Sequence, residues 1–220
     1  MHGTIIGKTG SGKSELAKLL VRKIAQTKNL IIVDPYDLYQ SLFQFDEKIV
    51  IDVNNDNYTM IANEDYISKV VVRGIKEHKV VFFKLVNTLD DEEYDFLNIL
   101  AYVIEGKKGM FLLIDEASRY LKRNSVPEWI ERIFKGGRHN DNSLLTIYQS
   151  FTDAIMSSLR QTDWVLVANS PEANEKKRIR ELIGYDPDIL DKYEFFIQFK
   201  GDTGIVEKNY ILQHIGELFS

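Results

Sequence analysis

Gly7-Lys8-Thr9-Gly10-Ser11-Gly12-Lys13-Ser14 fits the pattern G-x-x-x-x-G-K-[ST] in full, and its flanks give it meaning. Before it stands a short apolar run, Gly3-Thr4-Ile5-Ile6. After it, Glu15 to Ala25 carries apolar residues at Leu16, Leu19, Leu20 and Ile24. Strand, glycine-rich loop and amphipathic helix in this order make a phosphate-binding loop. Successive backbone N–H groups must point inward at phosphate oxygens, which glycines at 7, 10 and 12 allow, and the helix turns the positive end of its dipole toward the same anion. Lys13 is placed to reach the β and γ phosphates, and Ser14 to offer a hydroxyl to Mg²⁺. The expected ligands are ATP and Mg²⁺.

A second stretch, Met110-Phe111-Leu112-Leu113-Ile114-Asp115-Glu116-Ala117, reads as an apolar strand ending in adjacent carboxylates. Hydrolysis needs both: Asp115 to hold Mg²⁺ through its water shell, and Glu116 to orient and deprotonate the attacking water. That glutamate argues against a small-molecule kinase, whose acceptor is a substrate hydroxyl. Val80 to Val86 is another apolar strand between the two motifs in sequence, and its insertion between them in the sheet would make the RecA-like arrangement. Further on, a Gly136-Gly137-Arg138-His139 turn leads into a strand that ends at Gln149. By chain order this strand should lie beside that of Asp115, with Gln149 near the γ-phosphate as its sensor. Arg138 then stands on a loop from which it can project across a subunit boundary into a neighbour's site, with Arg73, Arg119 and Arg160 as competitors for that role.

Apolar runs alternate with helical patterns, the signature of a mainly parallel sheet flanked by helices. Strands are predicted at 3–7, 30–34, 49–53, 80–86, 110–115, 144–149 and 164–168, and helices at 13–26, 64–76, 90–105, 127–135, 152–160 and 172–183. A terminal β-hairpin is predicted from Tyr193–Phe199 and Gly204–Leu212, turning at Gly201 to Gly204. The acidic run Thr88 to Asp95 is a helix start, with Thr88 or Asp90 as cap, rather than a metal cluster. With 220 residues, 44% of them hydrophobic, the expectation is one α/β domain over 1–220. There are no cysteines, which suits an intracellular setting, and the four histidines show no metal-ligand spacing. No apolar stretch approaches the length of a membrane span and no signal-peptide pattern precedes the loop, so neither membrane insertion nor a preceding domain is expected. A net charge of −5 argues against a coat of positive charge for unspecific nucleic-acid binding, yet leaves room for a few cations lining a ring. Arg119, Lys122 and Arg123, and Lys176, Lys177, Arg178 and Arg180, read as solvated faces without interleaved aromatic platforms.

The order phosphate loop, Asp115-Glu116, Gly-Arg segment and strand ending in Gln149 resembles the HerA/FtsK superfamily of DNA-translocating ATPases. Ile31-Ile32-Val33-Asp34-Pro35 is similar to that family's second strand with its Asp-Pro end. The compactness resembles the genome-packaging ATPases of tailless icosahedral viruses. The resemblance implies a RecA-like P-loop ATPase and a homo-oligomeric, hexameric ring acting on double-stranded DNA. It also implies capsid or portal-vertex proteins as partners, and a place in the host cytoplasm or on the virion. Within it Lys13, Glu116, Gln149 and, in trans, Arg138 are the catalytic group, and Ser14 and Asp115 hold the metal. A cellular HerA-like translocase is the alternative, as is a nucleotide-gated assembly ATPase that moves no DNA.

Overall fold

A strand buried on both faces must be apolar at nearly every position, and Met110-Phe111-Leu112-Leu113-Ile114 meets that demand: all five residues are buried. It lies inside a sheet of nine strands in a computed structural model that describes residues 2–121, 126–154, 159, 161–168, 173–183, 190, 194–199, 202–207 and 210–211. The strands are β1 (Gly3–Ile6), β2 (Asn29–Val33), β3 (Lys48–Val53), β4 (Val80–Leu85), β5 (Met110–Ile114), β6 (Ser143–Tyr148), β7 (Trp164–Ala168), β8 (Glu194–Phe199) and β9 (Asp202–Glu207). Their order is β3-β4-β2-β5-β6-β1-β7-β8-β9. The first seven in that order run parallel, and β8 and β9 close the edge antiparallel.

Alternate strand residues face two separate cores. On one face Ile5, Leu30, Ile32, Phe111, Leu113, Leu145 and Ile147 pack with Leu16, Ala17, Leu20, Val21 and Ile24 of α1 (Lys13–Ile24). On the other, Ile6, Ile31, Val33, Leu112, Ile114 and Leu144 meet the helices α3 (Glu64–Glu77), α4 (Asp90–Glu105) and α6 (Glu128–Gly136); a single-turn α2 (Tyr58–Ile61) precedes α3, and a single-turn α5 (Ala117–Tyr120) lies between α4 and α6. Each such side chain removed from water contributes about 1.5–3 kcal/mol before the entropy of ordering is subtracted. A further helix, α7 (Ala173–Ile183), follows β7.

Three expectations need correction. The strand inserted between β1 and β5 is β6, while β4 lies on the far side of β2, paired with β2 and β3. The central slot is covered on both faces, and Ser143–Tyr148 is buried at all six positions, with Thr146 Oγ1 3.0 Å from Thr4 Oγ1 across the β1 pairing. Neither Thr88 nor Asp90 caps α4: Leu89 holds the cap position, its N–H donates to Glu92 Oε2 at 2.8 Å, and Thr88 Oγ1 turns to Glu93 Oε1 at 2.7 Å. The second hairpin strand begins at Asp202, opposite Phe199, rather than at Gly204, and Tyr210 and Ile211 are helical. The helix expected at 152–160 falls largely outside the described residues, and Phe151 to Ala154 form a turn.

Asn142 holds β5, β6 and α4 together from a fully buried position. Its Oδ1 accepts from Met110 N–H at 3.0 Å, and its Nδ2 donates to Ile104 O and Lys107 O, each at 3.0 Å. Replacement by alanine strands these groups out of water, so Asn142→Ala should lose about 3 kcal/mol of stability. Urea titration checks this through a lower midpoint at an unchanged slope.

A candidate nucleotide site at the carboxyl edge of the sheet

Seven parallel strands end on one edge, and the phosphate loop, both carboxylates and Gln149 all leave from it. The register shows how: Ile6 of β1 pairs with Tyr148 of β6, and Ile114 of β5 pairs with Thr146. Carried one residue further, Gly7 is level with Gln149. Carried two beyond Ile114, Glu116 is level with Tyr148. Strands stand about 4.8 Å apart, so the loop and the carboxylate pair face each other across a single strand.

Within the loop, Gly12 caps α1 at φ 88°, and Gly10 stands at φ 85°, both left-handed conformations that favour glycine. Gly7 is needed for space: a Cβ there would lie 2.6 Å from Ser11 Oγ and 2.8 Å from the Ala168 Cβ. Lys8, Thr9 and Gly10 form the exposed crest, Ser14 is half-buried on the first helical turn, and Lys13 is 95% buried, with 5% relative exposure. Ser11 Oγ is buried with no hydrogen-bond partner among the described residues. The first turn of α1 is closed by Leu16 N–H on Gly12 O at 2.9 Å, which leaves the preceding amides at the anion-binding end of the helix.

Asp115 is 2% exposed. Its N–H donates to Val33 O at 3.1 Å. Its Oδ1 accepts the Glu116 N–H at 2.8 Å, and its Oδ2 accepts the Tyr39 hydroxyl at 3.0 Å. Burial pushes its carboxyl up to about 6, against the pull of these donors and of the Lys13 ammonium. The buried Asp115 carboxylate and the Ser14 hydroxyl across one strand are hard-oxygen donors suited to Mg²⁺, which takes one or two carboxylates plus substrate phosphates, and the Lys13 ammonium beside them is placed for the phosphates. Glu116 sits at φ 49°, a left-handed conformation that costs about 1–3 kcal/mol in a non-glycine residue and marks functional sites. Gln149 Nε2 donates to Glu116 Oε1 at 2.6 Å.

Arg138 is not part of this constellation. Its segment, the 3-10 turn Gly137–Asn140, precedes β6 and so lies at the opposite edge of the sheet, a strand length of about 20 Å away. Gly109 N–H on Asn140 O (3.0 Å) and Asn140 Nδ2 on Glu105 O (2.8 Å) fasten it there. Of its competitors, Arg119 is bound to the buried Glu93 of α4, Arg73 donates to Glu77 at 2.8 Å, and Arg160 lies outside the described residues. Lys122 and Arg123 are outside them too. On α7, Lys177 lies 3.8 Å from Glu181, and Arg178 Nη1 donates to Thr152 O at 3.3 Å.

Two features lacked a sequence signal. Tyr39 is fully buried five residues beyond Asp34, an Asx-type turn residue whose carboxylate accepts Tyr36 N–H at 3.2 Å and Tyr39 N–H at 2.9 Å. The Glu93–Arg119 pair ties α4 to the helix after Glu116, and its acid had read only as part of a helix start.

A phosphate loop and a carboxylate strand with a third strand inserted between them define a P-loop NTPase fold of the RecA-like class. The chain belongs to the family described as "Helicase HerA, central domain", whose model matches residues 1–198. Among solved structures it is similar to the genome packaging NTPase B204 of Sulfolobus turreted icosahedral virus 2 in complex with AMP (TM-score 0.66, 20% identity, 94% of this chain and 96% of that one). The same protein in complex with ATP-gammaS aligns at TM-score 0.64 and 22% identity, over 93% of this chain and 94% of that one. VirB4 of Thermoanaerobacter pseudethanolicus aligns at TM-score 0.67 and 14% identity, over 94% and 88%. No curated protein matches the chain. Among the described residues no helix is long and apolar enough to cross a membrane.

The raised carboxyl of Asp115 has a thermodynamic sign. Between the ordinary value of 3.8 and about 6 the unfolded chain releases a proton that the folded chain keeps, so stability falls as pH rises through that window. Above it the full cost, about 3 kcal/mol, is present in metal-free protein. Thermal unfolding in EDTA from pH 4 to pH 7 should therefore show a shallower pH dependence in Asp115→Asn than in the wild type. Parallel curves would remove the burial assignment.

Proposed function

We propose that the chain is an ATPase motor that hydrolyses ATP with Mg²⁺, works as a ring of identical copies, and translocates double-stranded DNA, packaging a viral genome. The observation that carries it is the convergence of the Gly7–Ser14 loop, Asp115, Glu116 and Gln149 on one edge of the sheet, with Gln149 bonded to Glu116 at 2.6 Å. The packaging role is drawn from the likeness in fold to B204, a genome packaging NTPase spanned almost end to end. Family membership beside the HerA central domain supports a second reading, a cellular DNA translocase.

Lys13 stabilises charge on the β and γ phosphates, and the loop amides fix the triphosphate. Ser14 and Asp115 hold Mg²⁺, which when bound neutralises phosphate charge. Glu116 takes the proton of the attacking water. Gln149 donates to one oxygen of Glu116. A γ-phosphate that draws the amide away releases that oxygen for the water, so Gln149 senses the triphosphate by what it lets go. Glu116→Gln should bind nucleotide normally and lose about 10²-fold or more in turnover, whereas Lys13→Ala should lose turnover together with phosphate contact. ATPase rates with and without duplex DNA test the motor. Stimulation that disappears at high salt is expected, because DNA held through its phosphates releases counterions on binding. Absence of stimulation in the assembled protein would leave only an assembly ATPase.

Because Arg138 stands at the opposite edge from its own loop, its partner on this reading is the next copy's triphosphate. Arg138→Ala should bind nucleotide normally and turn over about 10³-fold more slowly. Mixed with Glu116→Gln under subunit exchange it should regain activity, since some interfaces then pair an intact arginine with an intact glutamate. Inactive mixtures, with mixed rings demonstrated, would place its effect within its own subunit.

A further inference from the structure

We propose that Tyr39 is a positioning residue for the metal-side carboxylate, with Asp34 as its anchor. This rests on the assignment of Asp115 to Mg²⁺ above. A fully buried phenol requires a partner, and the one that Tyr39 has is Asp115 Oδ2, at 3.0 Å. The other oxygen of that carboxylate accepts the Glu116 N–H at 2.8 Å. One oxygen is thus set by the backbone of its own strand end and the other by a side chain from a different loop, which fixes the plane of the carboxylate.

Asp34 makes that reach possible. It closes β2, next to β5, and is fully buried. Its Oδ1 accepts from Tyr36 N–H and its Oδ2 from Tyr39 N–H, so both oxygens help turn the chain back over the strand ends. Asp34 therefore shapes the loop that carries Tyr39. The ion pair between Asp37 and Lys84 of β4 fastens the same loop from its outer side. Asp34, Tyr39 and Asp115 form a relay in which the first holds the second and the second orients the third.

The test separates orientation from mere packing. A fluorescent, non-hydrolysable ATP analogue is titrated onto the full chain in EDTA, and Mg²⁺ is then varied at fixed nucleotide. Tyr39→Phe keeps the ring and removes the hydroxyl. It should bind the analogue in EDTA as the wild type does, while the Mg²⁺ midpoint rises about tenfold, the size expected when a hydrogen bond to a charged group is lost. Asp34→Asn should move the midpoint in the same direction, and the double variant should move it no further than Tyr39→Phe alone, because both act through one hydroxyl. Should Tyr39→Phe fail to fold, Asp34→Asn carries the same measurement. A Tyr39→Phe protein that melts earlier but keeps the wild-type midpoint overturns the positioning role alone. Wild-type binding that ignores Mg²⁺ overturns the assignment of Asp115, and the proposal with it.

Discussion

The position of β6 is the constraint on which the rest depends. Parallel pairing puts every strand's carboxyl end on one edge, and β6 between β1 and β5 sets the spacing of that edge. The phosphate loop leaves one neighbour of β6 and the carboxylate pair leaves the other. Gln149, on the strand between, lies within hydrogen-bond reach of Glu116. With β6 elsewhere, loop and carboxylates would lie side by side and the strand-end glutamine would belong to neither. The slot admits a strand buried on both faces, and Ser143–Tyr148 is buried at all six positions, its Thr146 hydroxyl paired with that of Thr4.

Buried charge is the site's second organising feature. Asp34, Asp115 and Lys13 lie at or near full burial at strand ends or at the first position of a helix. Burial of an ionised carboxylate is costly unless hydrogen bonds or opposite charge offset it. Each acid here is answered differently: Asp34 by loop amides, Asp115 by a phenol, an amide and the field of Lys13. Glu116 is half-buried and instead carries backbone strain. Its carboxylate is bonded to Gln149, and the Glu93–Arg119 pair ties α5, which begins at the next residue, to α4. Preorganisation of this kind is what a hydrolytic site requires, since groups already in place need not be ordered as the reaction proceeds.

The structure also divides the arginines by place. Arg119 and Arg73 are committed to glutamates of the same chain, while the segment of Arg138 is tied by backbone hydrogen bonds to the edge opposite the phosphate loop. A subunit built this way offers its nucleotide edge on one side and its Gly-Arg segment on the other. In the proposed ring the two edges of neighbouring copies would meet.

Chain-local chemistry alone determined part of this. The Gly7–Ser14 loop, the apolar run ending in Asp115-Glu116, and the α1 stripe each depend on residues a few positions apart, where backbone conformation and side-chain period are fixed by the sequence itself. Pairings between distant segments were legible only in part. Chain order already placed the strand ending near Gln149 beside that of Asp115, as β6 lies, but that it also pairs with β1 while Val80–Leu85 stands beyond β2 emerges only in the sheet. Tyr39 looked like any loop tyrosine, because its role depends on an aspartate 76 residues away that the sheet brings to 3.0 Å. Sequence determined what each segment is and which atoms it can offer. Tertiary structure decided which atoms meet, because strand order is a global choice about burial and no local pattern encodes it.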